Sequence, residues 1–120
     1  MKPKYNFFAN TGYALAGLKQ IWLSERSFRI EVVLIAVFTA LNAFLRVDLT
    51  LQLVAQLAML GIMLAECINS AIERTVDLVT SDFHPLAGAA KDAGSAAVFI
   101  SISCAVLAWA AVIARGLEWI

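Results

Sequence analysis

Residues 93–114 read AGSAAVFISISCAVLAWAAVIA, 22 consecutive positions without a charge. A helix that crosses a bilayer needs about 20 mostly apolar residues. This stretch meets that length by itself, and with its flanks it predicts a membrane helix over about residues 90–116. Gly94, Ser95, Ala96, Ala97, Ser101, Ser103 and Ala105 give it a small-residue content that lets membrane helices approach closely.

Working outward from it, the rest of the chain shows the same pattern. The run from Leu49 to Ile68 is interrupted by Gln52 and Gln56, and it should continue as an amphipathic extension to about Thr80. The stretch Ser81 to Gly88, SDFHPLAG, reads as a loop, with Pro85 breaking the helix. Upstream, residues 28–47 form a third candidate span, whose heart from Val32 to Leu45 is broken only by Thr39 and Asn42. Arg29 and Glu31 lie near one interface, and a tight turn at Arg46 to Thr50 closes the other. Residues 5–22 carry Ala14, Leu15, Leu18, Ile21 and Trp22 at helical spacing, with Tyr5, Phe7, Phe8 and Tyr13. This reads as an amphipathic helix lying in the membrane interface. The expected architecture is an all-α membrane protein, one domain over residues 1–120, with three transmembrane helices and an N-terminal surface helix.

Composition supports this reading. The chain has 120 residues, of which 62% are hydrophobic and 15% charged. A soluble domain carries about 25% charged residues. The formal net charge is zero, which gives no reason to expect nucleic acid as a partner. The first twenty residues lack the compact apolar core and cleavage site of a signal peptide, so the chain is expected to insert through its own helices. Cys67 and Cys104 sit in or beside apolar runs and read as packing residues. Seven of the nine Lys and Arg (Lys2, Lys4, Lys19, Arg26, Arg29, Arg74 and Lys91) fall on one side of the spans. That bias places the N-terminus and the second connection in the cytoplasm.

The chemistry gathers on the helix over residues 49–80. Glu66, Asn69, Ser70, Glu73 and Asp77 lie on one helical face, and Glu66 comes directly after the apolar run Met59 to Ala65. An ionisable residue at membrane depth is a functional hypothesis by default. Carboxylates on one face repel unless they share a cation, and hard oxygen ligands favour Mg²⁺, which combines one or two carboxylates with substrate phosphates. His84, Lys91, Asp92 and Ser95 come after the loop. Glu25 precedes the first span, spaced for a simple ion pair with Arg29. All three sets fall at one interface. A transporter would place its carboxylates near the midplane instead. There is no glycine-rich phosphate loop.

These residues also form a pattern. Glu66 to Asp77 reads ECINSAIERTVD, then come FHPLA from Phe83 and AKDAGSAAV from Ala90, with GYxxxGLK at Gly12 to Lys19 and ExxFRxE at Glu25 to Glu31. Over nearly its whole length the chain resembles the bacterial integral membrane diacylglycerol kinases, a family that includes undecaprenol kinases. The resemblance implies a homotrimer in the bacterial inner membrane, with active sites near the cytoplasmic interface shared between subunits. It implies transfer of the γ-phosphoryl of MgATP to a lipid hydroxyl, with diacylglycerol favoured over a polyprenol. Carried over by match, Glu66 would be the general base, and Glu25 and Glu73 would hold Mg²⁺. Tyr13, Glu25, Asn69, Glu73, Asp77, Asp82, Phe83, His84, Lys91 and Asp92 would line the ATP site. Lys19, Trp22, Phe28, Arg29, Glu31, Glu66, Ser95 and Trp109 would meet the lipid. Asn6 stands where some members carry a basic residue, and Ala9 and Ala16 make this face less basic.

Overall fold

The computed structural model describes residues 4–118. Lys2, counted in the charge bias, lies outside the described residues. The helices in chain order are α1 (Phe7–Ser24), α2 (Arg26–Phe44), α3 (Leu49–Val79) and α4 (Pro85–Gly116). The last three are long and apolar enough to cross a membrane.

Local chemistry sets the helix ends. The Asn6 side chain caps α1 by accepting from Ala9 N–H at 3.1 Å, and Asp48 caps α3 through Leu51 N–H at 3.3 Å. Asn6 thus serves as a helix cap, a role that Asn fills well. Pro85, expected to break a helix within a loop over 81–88, instead starts one. Helix α4 begins there with His84 Nδ1 accepting from Leu86 N–H at 3.1 Å. The reason is that a proline at the first helical position loses no hydrogen bond and arrives with helical φ. The connection therefore shrinks to residues 80–84, and α4 gains about a turn and a half of helix at its start.

The most extensive packing is between α3 and α4, with α2 laid against α3 and α1 attached more lightly. The core holds Ile35, Met59, Ile62 and Ala105, bordered by Phe38, Ala58, Met63 and Trp109. Phe38 and Trp109 meet edge to face with centroids 4.9 Å apart. Many large apolar side chains, among them Phe44, Leu57, Leu64, Phe99 and Leu107, remain exposed along all three long helices. A water-soluble monomer does not leave apolar patches of that extent uncovered. Lipid or neighbouring helices are the natural cover.

The polar interruptions of the two N-terminal spans pair with one another. Gln52 Nε2 donates to the Asn42 and Leu45 carbonyls, both at 2.9 Å, and Asn42 Nδ2 donates to the Gln52 carbonyl at 2.9 Å. Gln56 Nε2 donates to Thr39 Oγ1 at 3.0 Å. These bonds clasp the α2–α3 hairpin at its turn. A backbone carbonyl left without a donor in the bilayer would be costly, so the amides also satisfy the frayed end of α2.

Candidate active site

At a rise of 1.5 Å per residue, Glu66 lies about 26 Å along α3 from Leu49, close to the thickness of the hydrocarbon core. Glu73 lies about 10 Å farther and Asp77 about 6 Å beyond that. The helix therefore carries its acidic face out of the apolar run at one end. Glu66 is only 7% exposed.

The other helices bring their own charges to this end. The Glu31 carboxyl, from α2, faces that of Glu66, with Glu25 the next charge in line. Glu31 Oε2 is sealed from solvent without a donor among the described residues. Facing carboxylates repel unless a proton or a cation stands between them. Glu25 is the single residue joining α1 to α2. Its Oε2 accepts from Ser70 Oγ at 2.8 Å, and its Oε1 lies 3.9 Å from Arg74 Nη2.

Asn69 donates to Glu73 Oε1 at 3.2 Å. Its own Oδ1 is buried without a partner, and a Cβ added to Gly94 would collide with it. Gly94 is thus where the backbone of α4 runs against the Asn69 amide. Lys91 Nζ pairs with Asp77 Oδ1 at 2.6 Å on the exposed flank of the same α3–α4 seam. Asp82, Phe83 and His84 are exposed at the tip of the connection, with Phe83 94% exposed. Asp92 and Ser95 are exposed on α4, one on each side of Gly94 along the helix. Tyr13, Lys19 and Trp22 are exposed on α1.

Below Glu31, an apolar cavity of about 260 Å³ opens between α2, α3 and α4, lined by Leu34, Phe38, Met59, Ala105 and Trp109 among others. Trp109 Nε1 is buried without an acceptor. The site thus joins an acidic head to an apolar room inside the membrane-spanning part of the chain.

Two residues stand differently from expectation. Arg29 makes no ion pair with Glu25. Its Nη1 donates to the carbonyls of Trp22 at 2.6 Å and Leu23 at 3.3 Å, closing the open C-terminus of α1. A guanidinium satisfies two helix-end carbonyls better than one neighbouring carboxylate, because those carbonyls have no intrahelical donor. Phe28, expected at the lipid, is 2% exposed and packs inside the chain. Sequence reasoning also passes over Arg74, the cation nearest Glu25, and the collision that reserves position 94 for glycine. The i, i+4 spacing of Ser70 and Arg74 is a usable signal, since it sets both on one edge of α3.

Among the described residues no three ligating side chains converge into a closed metal cage. Glu25 and Glu73 offer hard oxygen donors and leave most of a coordination shell to other ligands. Donors of that kind are the ones Mg²⁺ takes, one or two carboxylates at a time, with phosphate and water filling the rest.

The model of the prokaryotic diacylglycerol kinases matches residues 12–113. The chain belongs to the prokaryotic diacylglycerol kinase family. It is 40% identical over 98 residues to a diacylglycerol kinase of Escherichia coli strain K12, covering 82% of this chain and 80% of that one. A Pseudomonas aeruginosa diacylglycerol kinase is 37% identical over 103 residues, covering 86% and 84%. An undecaprenol kinase of Bacillus subtilis is 33% identical over 102 residues, covering 83% of each. The family is one of lipid kinases. The matched region contains the whole acidic end, from Glu25 to Asp92, and the apolar cavity beneath it.

Proposed function

We propose that the protein transfers the γ-phosphoryl group of MgATP to the hydroxyl of diacylglycerol, giving phosphatidic acid and ADP. The observation that carries the reading is the position of Glu66: buried at the end of an apolar run, facing Glu31, above an apolar cavity between three helices. A lipid hydroxyl at headgroup level reaches such a carboxylate without leaving the bilayer.

Glu66 accepts the hydroxyl proton as the oxygen attacks the γ-phosphorus and the bond to the ADP oxygen breaks. A positioned base of this kind is worth about 10²–10⁴ in rate. Glu25 and Glu73 would hold Mg²⁺, which when bound neutralises the phosphate oxygens. Asn69 orients Glu73. Lys91 stands beside the acidic face to meet phosphate charge, with Tyr13, Asp77, Asp82, Phe83, His84 and Asp92 around the nucleotide. Lys19, Trp22, Ser95 and Glu31 meet the lipid head, and Trp109 borders the acyl room. Arg29 and Phe28 serve the lipid indirectly, by fixing the α1–α2 joint and its wall.

The working form is a homotrimer in the bacterial inner membrane. The exposed apolar faces of α2 to α4 support an assembly, and the Lys and Arg bias supports a cytoplasmic active site. A second reading, phosphorylation of undecaprenol, is favoured by the Bacillus subtilis relative. The higher identity to proteins named diacylglycerol kinase favours the first. Labelled phosphate from MgATP, offered to purified protein with each lipid in mixed micelles, decides between them. Labelled phosphatidic acid is the expected product. Labelled undecaprenyl phosphate alone would establish the second reading, and no product with either lipid would remove both.

A further inference from the structure

Glu25 sits in extended backbone between two helices, so no helix fixes the direction of its carboxylate. Two side chains of α3, one helical turn apart, do so instead. Ser70 holds Oε2 at 2.8 Å, and Arg74 Nη2 stands 3.9 Å from Oε1. The same Nη2 donates to Ser24 Oγ at 2.9 Å, on the last residue of α1. One guanidinium therefore ties both the end of α1 and the joint carboxylate to α3. Apart from these side chains, α1 touches α3 only sparsely.

The two contacts are unequal. The short bond goes to Ser24, while Glu25 Oε1 is held only at ion-pair range. Oε1 thus remains open to a second partner while its position is preset. The electrostatics run the same way. Glu25 adds its charge to the facing pair Glu31 and Glu66, and a cation beside it offsets that crowding until a stronger one arrives. A lysine could supply the charge. It lacks the rigid fork with which arginine addresses two acceptors in fixed directions.

We infer that Arg74 is a positioning residue for a divalent cation: it presets Glu25 as a ligand and yields Oε1 when the ion is bound. The inference rests on the reading of Glu25 as a metal ligand. Arg74 is half exposed, so its ion pair contributes little to stability. Its removal should register in metal affinity and not in folding.

The test is Mn²⁺ binding to the purified protein in micelles with a non-hydrolysable ATP analogue, monitored by the loss of the free-ion electron paramagnetic resonance signal. Wild type, Arg74→Ala, Arg74→Lys and Ser24→Ala are compared, with thermal denaturation alongside. Arg74→Ala should raise the Mn²⁺ concentration for half-occupancy by about tenfold, the low end of what loss of an outer partner costs a metal site. Arg74→Lys should recover part of that loss, and Ser24→Ala should show a smaller shift in the same direction. All four should denature at the same temperature. Equal Mn²⁺ affinity in wild type and Arg74→Ala overturns the role of Arg74 while leaving Glu25 as a ligand. No Mn²⁺ binding by wild type overturns the metal reading, and this inference with it.

Discussion

The two ends of the bundle both carry polar side chains at membrane depth, and they treat them differently. At the α2–α3 turn, Asn42, Gln52, Gln56 and Thr39 are neutral and pair with one another or with backbone carbonyls, and of their side-chain atoms Asn42 Oδ1 stays buried without a partner. At the other end, Glu25, Glu31, Glu66 and Glu73 are acidic, and the cluster outnumbers its local donors. Glu31 Oε2 and Asn69 Oδ1 are buried without partners there. The neutral amides fix helix geometry and carry no charge that calls for a cation. Crowded carboxylates repel one another unless a proton or a cation stands between them. Net charge, and not polarity alone, separates scaffold from site in this chain.

The comparison breaks most sharply at Glu66. Glu66→Gln keeps the volume and removes the base. Turnover should fall by about 10²–10⁴, while the denaturation temperature and oligomeric state stay unchanged. An active Glu66→Gln protein in the phosphate-transfer assay would move the proton acceptor to Glu31, the carboxyl that faces it.

Gly94 probes the same end through packing. An alanine there places its Cβ against Asn69 Oδ1, and the bond from Asn69 to Glu73 keeps that amide from moving far. Gly94→Ala should cost about 1–3 kcal/mol, the usual range for forcing extra volume into a packed seam. The Mg²⁺ requirement for turnover should rise as well, because Asn69 holds Glu73. A loss of stability without that rise would confine Gly94 to helix packing.

At the clasped end the expectation is reversed. Gln52→Leu removes the two bonds that the side chain donates and leaves the Asn42 and Leu45 carbonyls without that donor. Interhelical hydrogen bonds in membranes are worth about 1–2 kcal/mol at most, so denaturation should shift by that order. Turnover per folded molecule should not change. A fall in specific activity would show that the two ends are mechanically coupled through α3.

Much of this was legible in the sequence. Uncharged lengths marked three spans, and helical spacing marked the acidic face of α3. What escaped were relations between helices. Thr39, Asn42, Gln52 and Gln56 read as interruptions of apolar runs, because pairing across a hairpin has no local signature. Arg29 and Glu25 at i, i+4 read as a pair, because the alternative partners, the Trp22 carbonyl and Arg74, lie in other elements. Pro85 read as a break because a helix breaker and a helix starter are the same residue, told apart only by the residues after it. The family pattern carried Glu25 and Glu31 into the site before geometry did. It could not say that Phe28 would turn inward.

The smallest expected effect belongs to Asp77 and Lys91, the ion pair at the exposed margin of the acidic end. Side chains this open to water gain little from pairing, so Asp77→Asn should leave denaturation where it is. Its effect should fall instead on the half-saturating concentration of ATP, since the substitution frees Lys91 from its 2.6 Å partner and changes the charge that an incoming phosphate meets. Such an effect is a matter of screening. The Debye length is about 10 Å at 0.1 M salt and about 3 Å at 1 M, so the difference between wild type and Asp77→Asn should be visible at low salt and vanish at high salt. If it persists at about 1 M salt, the pair is shielded from water in the working protein. The natural shield is a neighbouring subunit, and the margin of the site would then be part of its interior.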